Sequence, residues 1–272
     1  IPPHSTKLYQ MTPQQRKTMP SRFYYPPPWP NTPEITLPDE VFHHAVTVLR
    51  MRVGEVCELF DGKGHCATIE LIQIDKKSAR ARWLSPPTLQ ISNESPLNIT
   101  LAQCLSSAEK MDWTIEKAVE LGVNRIVPIF STRSQIKLSS ERSDKKMAHW
   151  QRIIVSACAQ SGRNVCPELR APMSLSQWLG QSTDEDATEH EPTCRLILHP
   201  DTQLPHTLSQ LPQPATRTIH LLVGSESGFD DKELILAKQA DYQATLLGPR
   251  VLRTETAGLA TLAAIQALWG DF

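Results

Sequence analysis

Up to residue 85 the apolar positions follow a short rhythm. In VCELFDGKGHCATIELIQI (56–74) they alternate with polar ones around Asp61-Gly62-Lys63-Gly64, and SARARWL (78–84) continues with the same period of two. Alternation of this kind broken by a Gly-rich turn predicts a hairpin and a further strand. EVFHHAVTVLRM (40–51) instead places Val41, Ala45, Val48 and Leu49 on one helical face. Several short strands with one helix predict a small β-barrel over 22–85. Residues 86–96, rich in Pro, Ser and Asn, read as a linker, and residues 1–21, which have no periodicity, as a disordered or non-native lead.

From residue 97 continuous apolar runs alternate with helical stripes. LNITLAQC (97–104), RIVPIF (125–130), CRLILHP (194–200), IHLLVG (219–224) and YQATLLG (242–248) are strands of the fully buried type. The segment 109–122 is a helix with Met111, Ile115, Ala118 and Val119 on its apolar stripe and Gly122 as its stop. A long helix starts at the N-cap Ser143, Asp230 and Asp231 open another, and TAGLATLAAIQALW (256–269) closes the chain. This alternation predicts an α/β domain with a parallel sheet over 97–272. Residues 181–193 read as an acidic surface loop.

Charge narrows the picture little: 28 Lys and Arg against 29 Asp and Glu exclude a basic coat over the whole chain but not a local basic face. No apolar run reaches the 18 or so residues of a membrane span, and the first residues lack the apolar segment of a signal peptide. The six cysteines form no C-x-x-C pair and no cluster with zinc spacing, so reduced buried thiols, a cytoplasmic setting and no metal are expected. Phosphate-binding loops, the dinucleotide Gly fingerprint, the serine nucleophile elbow and H-E-x-x-H are all missing, which weakens the common nucleotide and hydrolase classes.

What remains lies at strand ends in the last 80 or so residues. One strand ends at His199-Pro200. A second runs into Gly224-Ser225-Glu226-Ser227-Gly228-Phe229, and a third into Gly248-Pro249-Arg250-Val251-Leu252-Arg253-Thr254-Glu255. Ligands of open α/β sheets bind outside the carboxyl ends of strands, so these loops can share one pocket.

LLVGSESGFDDKE and LGPRVLRTETA resemble the signature loops of the RsmE family, SPOUT-class methyltransferases acting on N3 of a uridine in 16S ribosomal RNA. Arg22-Phe23-Tyr24, His44, Val48-Leu49-Arg50, Glu141-Arg142-Ser143, Trp150, Gln160-Ser161-Gly162-Arg163 and Pro167 follow the family's order. Two departures stand out: Gly-Ser-Glu-Ser-Gly replaces the usual Gly-Pro-Glu-Gly-Gly, and Ala159 replaces a frequent Glu. Ser227 would be strained if its position required positive φ.

The resemblance implies a deep trefoil knot in the C-terminal domain, a PUA-like RNA-binding barrel before it, a homodimer, and ribosomal RNA or the small ribosomal subunit as partner. It implies S-adenosylmethionine held by Leu198, His199, Val223, Gly224, Glu226, Gly228, Leu246, Leu247, Gly248, Val251 and Leu252. Arg253 is then the candidate for stabilising charge, and Glu226 and Glu255 are candidate bases or Arg-orienting groups. Arg22, Arg50 and Arg52 in the barrel and Arg133, Arg142 and Arg163 in the second domain are candidate RNA contacts. Two other readings compete: a non-catalytic RNA-binding or ribosome-assembly factor on the same fold, and a SPOUT methyltransferase of another RNA.

Overall fold

The computed structural model describes residues 20–133, 140–181, 192–199 and 207–272, without the side chains of residues 140–142. The lead segment up to residue 19 and most of the acidic loop therefore lie outside the described residues. The chain divides into two compact units: one comprises the residues up to Glu94 together with Cys158–Cys166, the other Ser95–Ala157 with Pro167–Phe272. The division falls inside the stretch read as a linker, and a short internal segment, 158–166, clusters with the N-terminal unit.

In the N-terminal unit β1 (Ser21–Tyr24), β2 (Glu34–Thr36), α1 (Asp39–Phe42), β3 (Val56–Phe60), β4 (His65–Ile74), β5 (Ala79–Trp83) and β6 (Thr88–Leu89) follow in order. The hydrogen-bonded path is β1-β3-β4-β5-β2, with β6 on β4. β1 and β3 are parallel, and β3 and β4 form the hairpin around residues 61–64. Phe23, Leu59, Ile69 and Leu71 fill the core. The helix after β2 departs from expectation. Val41 and Ala45 are buried, but Val48 and Leu49 are 56% and 47% exposed. Residues His43–Val48 are a π-helix, with the Leu49 N–H bonded to the His44 carbonyl. Its wider turn advances fewer degrees per residue than an α-helix, so an apolar stripe drawn at α spacing leaves the core after Ala45.

In the second unit β7 (Asn98–Cys104), α2 (Ala108–Glu120), β8 (Arg125–Phe130), α3 (Ser140–Ser161, whose last turn belongs to the first unit), β9 (Glu168–Leu169), β10 (Met173–Ser174), α4 (175–181), β11 (Cys194–Leu198), β12 (Thr218–Val223), α5 (Asp231–Gln239), β13 (Gln243–Thr245) and α6 (Thr254–Trp269) alternate. The sheet runs β10-β8-β7-β12-β11-β13, with β9 on β8, and every pairing is parallel. Burial on both faces explains the continuous apolar strands. The stripe read on α2 is buried in full. Ser143 is not the N-cap of α3, since the helix already begins at Ser140. The short strands β9 and β10 carry no periodicity from which to read them.

The register positions the site. Leu198, the last residue of β11, pairs with Val223, the last of β12, and with Thr245, the last of β13. Three parallel strands therefore end side by side, and their outgoing loops leave from one edge of the sheet.

Candidate active site

A cavity of about 370 Å³ opens at these three strand ends. Its wall contains all eleven residues expected to hold a cofactor, together with Arg253. Glu255 is not in the wall. Lys110, Ser225, Thr245, Arg250, Thr254 and Ala257 line the cavity as well, and the sequence reading missed them as site residues. Lys110 sits in the first turn of α2, far along the chain from the signature loops, and no local pattern marks it.

Two devices hold the loops. The Thr254 hydroxyl donates to the Gly224 carbonyl and accepts from Gln103 Nε2 at 2.9 Å, which ties the end of β12 to the start of α6 and to β7. At the far side of the 224–229 loop, Glu233 and Asp230 form a capping box: each side chain accepts from the other residue's backbone N–H, at 2.9 and 2.8 Å. Glu233 also accepts from the Thr132 N–H at 2.7 Å.

The substitution of Ser for Gly at 227 carries no backbone cost. The left-handed conformation in this loop belongs to Gly228 at φ +67°, and among the described residues the non-Gly positions with positive φ are Arg50 and Asp241. The Gly228 N–H bonds back to the Ser225 carbonyl at 2.9 Å, so the turn closes without the family's proline.

Electrostatically the site is a bridge. Lys110 Nζ lies 2.8 Å from Glu226 Oε1 and 3.6 Å from Glu255 Oε2. Burial pushes the Glu226 carboxyl up, but the Lys110 hydrogen bond and a backbone N–H outweigh it and hold the group below its ordinary range. A carboxylate kept ionised in this way is a weak proton acceptor, so the geometry favours Glu226 as an anchor over Glu226 as a base. The Glu226 hydrogen bond chiefly raises the pKa of Lys110 and keeps it charged. Arg250 and Arg253 are exposed, and their side chains make no hydrogen bond or ion pair among the described residues.

The arginines proposed to meet RNA separate into groups. Arg163 is 3% exposed and its guanidinium binds Glu94, with Nη2 to Oε2 at 2.8 Å. The other Glu94 oxygen accepts the Asn164 and Val165 N–H groups at 3.1 Å. Arg22 binds Glu58 at 2.6 Å and Asn164 Oδ1 at 2.6 Å. Both guanidiniums thus help to hold segment 158–166 within the N-terminal unit. Arg50 and Arg52 are exposed. Arg133 is exposed and donates to the Ser227 carbonyl at 3.0 Å, so it also supports the loop. The Arg142 side chain lies outside the described residues.

S-adenosylmethionine fits what is present. Leu198, Val223, Leu246, Leu247 and Leu252 offer apolar surface to an adenine ring, and the Lys110, Arg250 and Arg253 cations in the same wall suit the cofactor's carboxylate. A Cβ built on Gly248 would meet nothing within 4 Å, so backbone here borders open space that a ligand can approach closely. Among the described residues no group of His, Cys, Asp or Glu has the arrangement of a metal site.

Residues 93–266 match the family model of an RNA methyltransferase domain, and residues 37–82 that of an RNA methyltransferase PUA domain. The ribosomal RNA small subunit methyltransferase E of Buchnera aphidicola from Acyrthosiphon pisum is 33% identical over 87% of this chain and 88% of its own. The chain belongs to the ribosomal RNA small subunit methyltransferase E family. The member from Bacillus subtilis is 30% identical over 86% of this chain and 90% of its own. Among solved structures, the Neisseria gonorrhoeae family member bound to S-adenosyl methionine is 39% identical with a TM-score of 0.81, covering 93% of this chain and 99% of that one. A Legionella pneumophila methyltransferase in complex with the cofactor SAM is 38% identical with a TM-score of 0.82 and the same coverage.

Proposed function

We propose that the chain transfers a methyl group from S-adenosylmethionine to N3 of a uridine in small-subunit ribosomal RNA. The observation that carries this reading is the convergence of three in-register strand ends on one cavity, walled by apolar side chains and open backbone, with a fixed cation and two carboxylates at its side. Bound there, the cofactor supplies an electrophilic methyl on a sulfonium. The chain's own task is to hold N3 of the base in line with it and to favour the anionic base. Leu247 and Leu252 pack the adenine, Gly248 lets it approach, and Glu226 faces the cationic part of the ligand. Arg253 and Arg250, unpaired at the mouth, suit the phosphates flanking the target nucleotide.

The same reading extends to the rest of the family's architecture. The loops around the cavity form the SPOUT trefoil knot, the N-terminal unit is a PUA-like barrel that grips RNA through Arg50 and Arg52, and two chains pair as a homodimer in the cytoplasm. No metal takes part. The free cysteines and the absence of a membrane-spanning helix among the described residues are compatible with that location. N3 methylation blocks the pairing edge of uracil, so reverse transcription halts at the modified base. Primer extension along small-subunit RNA should lose one halt in a strain lacking this chain and regain it on complementation. An unchanged pattern of halts would overturn the reading.

A further inference from the structure

We propose that Lys110 is a catalytic residue of this reaction, its ammonium group facing the uracil and stabilising the negative charge left on the base when the N3 proton departs. The inference rests on the methyl-transfer reading above and names the group that makes the base reactive.

Lys110 differs from the other cavity cations in being fixed. Its stem leaves the first turn of α2, and its head is held between two carboxylates far apart in the chain: Glu226, in the loop after β12, at 2.8 Å and Glu255, in the first turn of α6, at 3.6 Å. One ammonium proton is committed to Glu226. The distance to Glu255 sets the direction of the head group without closing a second hydrogen bond, and Glu255 Oε2 has no hydrogen-bond partner among the described residues. Donor capacity therefore remains on a group that lines the cavity. Arg250 and Arg253, lining the same cavity, have no such restraint. A charge already oriented before the reaction stabilises a developing anion without reorganising, whereas a freely moving one must be ordered first. The flanking carboxylates also favour the protonated ammonium, so the charge persists towards the alkaline range in which uracil ionises.

The step balances simply. The N3–H bond breaks and its proton passes to solvent, leaving charge shared by N3, O2 and O4 of the ring. The N3 lone pair forms the new bond to the methyl carbon, and the electrons of the broken S–C bond return to sulfur. Lys110 acts on the first stage by stabilising the anion and so lowering the pKa of the bound base.

The test compares Lys110→Met and Lys110→Arg with the parent full-length protein. Glu109 and Asp112 on α2 and the cavity residues His199, Arg250 and Arg253 are common to all three, so their titration cancels in the comparison; Glu226 and Glu255 lose their cation in Lys110→Met but keep one in Lys110→Arg, which makes the Arg variant the control for them. With small-subunit RNA as substrate, the rise of kcat/KM with pH should move up by about one pH unit in Lys110→Met. The loss should be about tenfold near neutrality and shrink as pH rises. Lys110→Arg should restore most of the parent profile. Calorimetry should show S-adenosylmethionine affinity within about threefold of the parent in both variants. A loss independent of pH, or a loss of cofactor affinity as large as the loss of rate, would assign Lys110 to loop support and overturn the proposal. Should the parent itself methylate no uridine N3, the functional reading fails on its own, separately from the comparison of variants.

Discussion

At the scale of single residues the site is built from one fixed cation, two free ones and a glycine that leaves room. Gly248→Val tests the room. Gly248 precedes a proline, which favours extended backbone, a conformation valine adopts readily. A Cβ at this position meets no protein atom within 4 Å, so stability should change by less than about 0.5 kcal/mol. The valine side chain enters the cavity, and calorimetry should show S-adenosylmethionine affinity reduced at least about tenfold, through overlap with the ligand. Arg253→Ala should leave cofactor affinity unchanged and weaken RNA binding, with the slope of log affinity against log salt falling by about 0.7 to 0.9 for the lost phosphate contact. An unchanged slope would remove Arg253 from the RNA interface. Arg163 behaves differently, because it sits inside. Arg163→Ala leaves the Glu94 carboxylate largely buried without its partner, and denaturant unfolding should show a loss of about 3–5 kcal/mol. Most of the cavity lining was legible in the sequence because it lies at three strand ends, where Gly, Pro, His and Arg residues interrupt apolar strands. Lys110 was not, since only the tertiary fold brings α2 beside those loops. The ion pairs of Arg22 and Arg163 were not legible for a related reason: a sequence shows a cation but not the Glu58 or Glu94 beside it.

At the scale of elements the site depends on where strands end and what clamps the loops that follow. The sheet was legible because its strands are apolar throughout. Its short edge members, β9 and β10, were not, because two residues carry no period. The π-helix at His43–Val48 was read as an α-helix, since its apolar spacing mimics one for a single turn, and only the i→i+5 hydrogen bond separates the two. Thr254 is the clamp between elements. Thr254→Val keeps its shape but strands the Gly224 carbonyl and one bond of Gln103 Nε2 in a buried place, at a cost of about 1–3 kcal/mol. Thermal unfolding should shift down, and cofactor affinity should fall with it, because the 224–228 loop loses its anchor to α6. Full cofactor affinity in a destabilised Thr254→Val protein would show that the loop holds its shape without the clamp.

At the scale of the molecule, near-neutral net charge and reduced cysteines shape solution behaviour. Burial pushes the thiols of Cys57 and Cys104, one in each unit, up to about 12. A thiol whose folded pKa exceeds its unfolded value binds more protons folded than unfolded once pH passes the unfolded value. Its contribution to stability is complete below about pH 8.5 and is lost as pH rises towards 12. Denaturant midpoints should therefore decline through the alkaline range, and both thiols should resist alkylation in the native protein at pH 8. Rapid labelling of either would contradict their burial. The central claim, that the cavity at the three strand ends supports methylation of uridine N3, is met most directly by nucleoside mass spectrometry. Small-subunit ribosomal RNA from a strain lacking this chain is incubated with the purified protein and isotopically labelled S-adenosylmethionine, then digested to nucleosides. The account predicts labelled N3-methyluridine from the parent protein and little or none from Gly248→Val. Label in any other nucleoside, or its absence with the parent protein, would contradict it.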